Sequence, residues 1–207
     1  MLGNDYRYTI YEKKGNVPRD FTKIFSLFKA RRITTENHYK WIKKKNAPFK
    51  KIFLNIYDNR CVYCGNTIDN IHIDLFEIDH YKNKASFENE SEAGDIINLY
   101  PSCQACNRGK SGIEIKGEYL KILDPNNNIY NVFFRDDDYS ICIKDEYKTD
   151  DFIKKFYDDV HLGNQTKRID YLLKVMNDIS NKLPESVKAE MTSAYVMLSK
   201  KRHQYTS

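Results

Sequence analysis

Two cysteine pairs at C-x-x-C spacing, Cys61/Cys64 and Cys103/Cys106, bracket the dipeptide Asp79-His80 and the residue Asn98, and Asn107 follows directly on the last cysteine. Zn²⁺ takes four tetrahedral ligands, and the tight turn within a C-x-x-C pair aims two thiolates at one point, so two pairs complete a closed site. Gly65 follows the first pair, where left-handed backbone is often required. The plainer alternative is that the four are buried small hydrophobes, as single free cysteines often are, and matched spacing argues against it. A four-thiolate site keeps no open coordination position. This metal is therefore expected to hold the fold, and chemistry has to come from other residues. Cys142 has no pairing partner and reads as a core or surface thiol.

Asp79, His80, Asn98 and Asn107 suit phosphodiester hydrolysis. Asp79 offers a carboxylate and Asn107 an amide oxygen, both hard ligands fit for Mg²⁺ or Mn²⁺. Such a cation would stabilise charge on the reacting phosphate and the leaving 3′ oxygen. His80, with an ordinary pKa of about 6.5, can take a proton from an attacking water. Asn98 has no acid-base ability and is expected to hydrogen-bond the loop that carries His80. Arg108 and Lys110 are expected at the scissile or a neighbouring phosphate. Closing the zinc site would pin Asn107 within one residue of a fixed ligand and bring the strand ending at Asp79-His80 opposite it.

The elements that must position these groups are short. Apolar spacing predicts a helix over Phe21 to Phe28 with Asp20 as cap, a second from about Glu36 to Lys45, and a third from Phe49 to Tyr57 after Pro48. Ile71 to Ile78 and Asn98 to Tyr100 read as strands of a hairpin, Tyr81 to Asp95 as a loop, and Cys103 to Lys110 as helical turns. Tyr130 to Phe134 and Tyr139 to Ile143 suggest a small antiparallel addition. The last third reads as helices: a stripe of Phe152, Ile153, Phe156 and Val160, another from Ile169 to Ile179, and a last helix starting at Pro184.

Of the 207 residues, 41% are hydrophobic and 30% charged, an ordinary composition for a globular chain and unlike a disordered one. No apolar run reaches the length of a membrane span, and Met1 to Tyr11 lacks a basic region followed by an apolar one, so a cytoplasmic protein is expected. The net charge of +5 is mild. Its distribution is uneven: Lys29, Arg31, Arg32, Lys40, Lys43, Lys44, Lys45, Lys50 and Lys51 crowd the segment before Cys61. Such a run suits a phosphate backbone, Lys43, Lys44 and Lys45 above all, or it is the solvated face of helices. Trp41 could stack on a base or anchor its helix to the core. His72, on the strand that leads to His80, is expected to be structural or solvent-facing, and His38, His161 and His203 have no matching frame.

The run Cys61-x-x-Cys64, Ile78-Asp79-His80, Asn98-Leu99 and Cys103-x-x-Cys106-Asn107-x-x-Lys110 resembles the zinc-containing HNH endonucleases. The resemblance implies a ββα-metal fold, one catalytic divalent cation and a histidine general base on the first strand. By position, His80 matches the first motif residue, Asn98 the second and Asn107 the third, with Asp79 as the additional metal ligand. Many members have histidine where Asn107 stands, and an amide oxygen favours Mg²⁺ over transition metals. Leu123-Asp124-Pro125, Phe156-Tyr157, Leu162-Gly163-Asn164-Gln165 and Asp170-Tyr171-Leu172-Leu173 resemble the HNH proteins of retron and Septu-type phage-defence systems, which implies an ATPase partner.

The expected architecture is α+β: a basic helical extension over 1–57, an HNH nuclease module with its zinc site over 58–116, and a small β addition with C-terminal helices over 117–207. The expected activity is hydrolysis of DNA, with RNA compatible with the same residues. A non-catalytic zinc-finger module that binds nucleic acid is the competing reading, and the intact set of Asp79, His80, Asn98 and Asn107 argues against it.

Overall fold

A computed structural model describes residues 5–8, 19–33, 37–44, 48–136, 140–180 and 182–204. Lys45 and Tyr139, and Glu36 at the expected start of the second helix, lie outside the described residues. The chain divides into two compact units, Met1–Gly163 and Asn164–Ser207.

In the first unit α1 (Thr22–Ala30) begins where the Asp20 carboxylate accepts a hydrogen bond from the Thr22 amide at 2.8 Å. α2 is a single turn, Tyr39–Ile42, shorter than its apolar pattern suggested. α3 (Pro48–Ile56) has Pro48 in its first turn, where the missing N–H is harmless. Its buried face carries Phe49, Phe53 and Leu54, and Phe49 stacks on Phe28 of α1 at 5.0 Å between ring centroids. Trp41 is half-buried against this core, 5.9 Å from the Phe49 ring. Lys50 departs from the basic surface expected of its run. It is buried, donating to the carbonyl oxygens of Phe76 at 2.8 Å and Ile73 at 3.3 Å.

The expected hairpin is present in a shorter form. β1 (Phe76–His80) pairs antiparallel with β2 (Leu99–Cys103), with Asp79 opposite Tyr100 and His80 opposite Leu99. Ile73–Leu75, expected as strand, is a 3₁₀ turn. The connection between the strands contains a one-turn helix, α4 (Glu90–Ala93), capped by Asn89. β2 runs straight into α5 (Gln104–Lys110), which completes a ββα unit. The order agrees with what the resemblance implied.

After α5 come α6 (Tyr119–Ile122), α7 (Ile129–Val132), a hairpin of β3 (Phe133–Arg135) and β4 (Ile141–Ile143), and α8 (Asp151–Asp159). The chain at Tyr130–Val132 was expected extended and is helical. Ile129 and Val132, three apart, are both fully buried, and the amides of Asn127, Asn128 and Ile129 all donate to the Asp124 carbonyl, which starts the turn. α8 packs closely on α5. A Cβ added at Gly109 would come within 1.8 Å of the Asp159 carbonyl oxygen, a backbone atom that cannot swing aside. Gly109→Ala is therefore expected to destabilise the unit by about 1–3 kcal/mol or more, read as a fall in the thermal midpoint. A midpoint equal to that of the unmodified protein would show that the two helices are not in this contact.

In the second unit, α9 (Thr166–Ser180) and α10 (Glu185–Gln204) form an antiparallel hairpin, tied by the Arg202 guanidinium on Asp170 at 2.5 Å. No helix among the described residues is long and apolar enough to cross a membrane.

Candidate active site

The four cysteines Cys61, Cys64, Cys103 and Cys106 are buried, and their sulfurs all lie within 4.8 Å of one another. A tetrahedron of thiolates about 2.3 Å from Zn²⁺ has edges of about 3.8 Å. The Sγ atoms of Cys64 and Cys103 stand 3.8 Å apart, so the arrangement fits zinc closely. Each pair is built locally. The Cys61 amide donates to the Asn66 carbonyl at 2.8 Å and the Gly65 amide to the Cys61 carbonyl at 3.0 Å, closing the first knuckle. The Val62 amide reaches the Pro101 carbonyl at 3.0 Å and ties that knuckle to β2. Gly65 has φ +75°, and a Cβ there would stand 2.5 Å from the Arg7 carbonyl oxygen, so two constraints select glycine. The Asn66 amide donates to Cys64 Sγ at 3.2 Å, the kind of bond that supports a thiolate. Burial pushes the Cys61 thiol up, but bonds from Cys103, Cys106 and Cys64 outweigh it and hold the group well below the ordinary thiol range.

The N-terminal residues seal this knuckle. The Tyr6 hydroxyl donates to the Tyr63 carbonyl at 2.6 Å, and the Arg7 guanidinium reaches the carbonyls of Val62 at 3.1 Å and Pro125 at 2.7 Å.

Tyr63, between the two cysteines of the first pair, connects the zinc site to β1. Its hydroxyl donates to Asp79 Oδ2 at 2.5 Å, and burial together with the adjacent carboxylate keeps the phenol protonated. Lys110, expected at a phosphate, is buried: its ammonium lies 3.1 Å from Asp79 Oδ1 and 2.9 Å from the His80 carbonyl oxygen. Both Asp79 oxygens thus carry a donor, and an ionised carboxylate has about four lone-pair sites, so two remain. Tyr63→Phe leaves Asp79 Oδ2 buried without that donor. The variant should lose about 1–3 kcal/mol of stability, measured by denaturant midpoint, and an unchanged midpoint would show that the bond does not form in solution.

Alternation along β1 puts Glu77 on the Asp79 side of the strand. Glu77 is half-buried, and its Oε2 accepts from the Asn107 amide at 2.6 Å while Oε1 lies 3.5 Å from Gln104 Nε2. The contact from Asn107 to β1 therefore runs through Glu77, a residue that sequence reasoning passed over. Strand periodicity, two residues before Asp79, was the signal that could have found it. Two carboxylates and one amide oxygen on adjoining elements form a set of hard donors, the kind a Mg²⁺-type cation takes. The cluster of closely approaching ligand atoms found among the described residues is that of the four cysteines.

His80 is half-buried, and Tyr39 of α2 lies 4.4 Å from its ring, centroid to centroid. Burial first, then the ammonium groups of Lys84, Lys110 and Lys43, lower its pKa to about 4, so the imidazole is neutral at pH 7. Asn98 is buried. Its amide donates to the carbonyls of Lys82 at 3.2 Å and Ala93 at 3.0 Å, and its oxygen accepts from the Lys82 amide at 2.8 Å. These three bonds staple the two ends of the connection that leaves His80. Arg108 is exposed on α5, and Lys43 and Lys44 are exposed at the end of α2.

Residues 61–112, about a quarter of the chain, match the family model described as HNH endonuclease. This segment is similar to the HNH endonucleases. The similarity points to a nuclease acting on nucleic acid and to divalent-metal chemistry. No curated protein and no solved structure matches the chain. Within the matched segment β1 carries Asp79 and His80, α5 carries Asn107, and Asn98 directly precedes β2.

Proposed function

We propose that the protein is a metal-dependent endonuclease that hydrolyses phosphodiester bonds in DNA, with His80 as general base and a Mg²⁺ or Mn²⁺ held by Asp79 and Asn107. The observation that carries this reading is the closure of α5 on β1 at two points, Lys110 on Asp79 and Asn107 on Glu77, inside a segment that matches the HNH family. The cation would offset the negative charge that develops on the phosphate oxygens. Glu77 orients the Asn107 amide so that its oxygen is left free to ligate, and Lys110 compensates the buried charge of Asp79. His80, neutral at pH 7, accepts the proton of the attacking water. Asn98 fixes the loop behind His80 by its three bonds. Arg108, with Lys43 and Lys44 and the neighbouring Lys45, contacts the backbone phosphates. A cation in the four-cysteine site takes no part in these steps, because its coordination shell is complete.

The finer reading, an effector of anti-phage defence with an ATPase partner in the cytoplasm, rests on the resemblance of Leu123-Asp124-Pro125 and the segments after it. A neighbouring gene for an ATPase or a reverse transcriptase would support it, and the lack of both would remove it. The activity itself is tested with supercoiled plasmid and Mg²⁺, comparing the unmodified protein with His80→Ala. Equal cleavage by the two would take His80 out of the mechanism. Salt-sensitive binding without cleavage would leave the zinc-stapled binding module instead.

A further inference from the structure

Three side chains, those of His80, Lys43 and Lys84, gather at the Tyr39 ring. Lys43, one turn on along the chain from Tyr39, holds its Nζ 5.0 Å from the ring centroid, and Lys84, on the loop leaving β1, holds its Nζ 4.7 Å from it. Each ammonium is attracted to the negative face of the ring. That attraction leaves the positive charge of the two ammonium groups uncompensated by any carboxylate among the described residues. Other lysines near the site have carboxylates: Lys110 lies on Asp79, and Lys40 stands 3.7 Å from Glu90. Among the described residues Lys43 and Lys84 have no carboxylate at ion-pair distance. Glu77, the acidic group whose charge reaches Tyr39, is engaged by Asn107.

The ring is also held in place. The Tyr39 amide donates to the Gly94 carbonyl at 3.1 Å, the Ile96 amide to His38 Nδ1 at 3.2 Å, and the Asn37 amide to the Glu90 carbonyl at 3.0 Å. Gly94 lies so close that a Cβ there would meet Asn37 Oδ1 at 2.3 Å. These bonds fasten α2 to the loop that follows His80, so Tyr39 and Lys43 are carried by the same framework as the site.

We propose that Tyr39, Lys43 and Lys84 form a subsite for a DNA backbone phosphate next to the bond being cut. A phosphate drawn to the Tyr39 ring would compensate the charge of both ammonium groups, and the Tyr39 hydroxyl adds a neutral donor. That the bound strand is the one cleaved rests on the endonuclease reading; the binding of phosphate does not.

The test uses the full chain carrying His80→Ala, so that DNA is not consumed, and a fluorescent duplex of about 20 base pairs titrated at salt from about 50 to 200 mM. Lys43→Gln with Lys84→Gln should reduce the slope of log Kd against log salt by about 1, the share of one neutralised phosphate. Lys154→Gln with Lys155→Gln, exposed on α8 and paired with Asp151 and Asp159, should leave the slope unchanged. An unchanged slope in the first pair, an equal fall in the second, or no salt-dependent binding at all would overturn the subsite. Cleavage of plasmid by the unmodified protein with an unchanged slope would sink the subsite and spare the nuclease. A reduced slope with no cleavage would do the reverse.

Discussion

Cys103→Ser, or removal of metal with a strong chelator, should unfold the ββα unit. Apparent binding energies of structural zinc are about 10–16 kcal/mol in small zinc modules, as large as the whole stability of a typical domain, about 5–15 kcal/mol. Cys103 is both the last residue of β2 and the residue before α5, so losing it frees the helix that carries Asn107 and Lys110. The expected results are about one zinc per chain in the unmodified protein by elemental analysis, less in the variant, and loss of the near-ultraviolet signal of the buried tyrosines Tyr57, Tyr63 and Tyr100. A variant that keeps its melting curve and holds no metal would show that the thiols are ordinary core residues.

His80→Ala should lower Mg²⁺-dependent DNA cleavage by about 10²–10⁴-fold, the span that a positioned general base contributes. The expected stability change is small by comparison, because the imidazole is half-buried and its ring contact is with Tyr39, itself half-buried. The two effects separate cleanly when initial rates and thermal midpoints are measured on the same preparation. A rate loss that tracks a collapsed midpoint would assign His80 to structure alone.

The four-cysteine cluster, the ββα order and the matched HNH segment were legible because each is encoded within a few residues. Cys-x-x-Cys, Asp79-His80 and Cys106-Asn107 declare themselves at short range, and the start of α3 at Pro48 follows from one ring. What was not legible is set by contacts distant in sequence. Lys110 and Lys50 look like surface cations in the chain, yet each is buried on groups more than 20 residues away, Asp79 and the Phe76 carbonyl. Tyr130–Val132 has the β-branched and aromatic content of a strand. It is helical because the Asp124 carbonyl gathers three amides and the core takes Ile129 and Val132 from one side. Glu77 lay between the two kinds: periodicity placed it beside Asp79, while its partner Asn107 is 30 positions away. Tyr39 was passed over for the same reason, since nothing local links it to His80.

The Tyr63 ring lies 6.0 Å from Phe156, which stacks on Phe133, which in turn meets Tyr6 at 5.7 Å. The family motif is therefore walled by aromatic residues supplied from both sides of it in the chain. Cutting the gene to the recognisable motif would strip those walls and turn buried rings into a sticky surface. The stretch to express is the whole first unit, Met1–Gly163, and fusion tags belong at the C-terminal end, away from the tyrosine that locks the first cysteine loop.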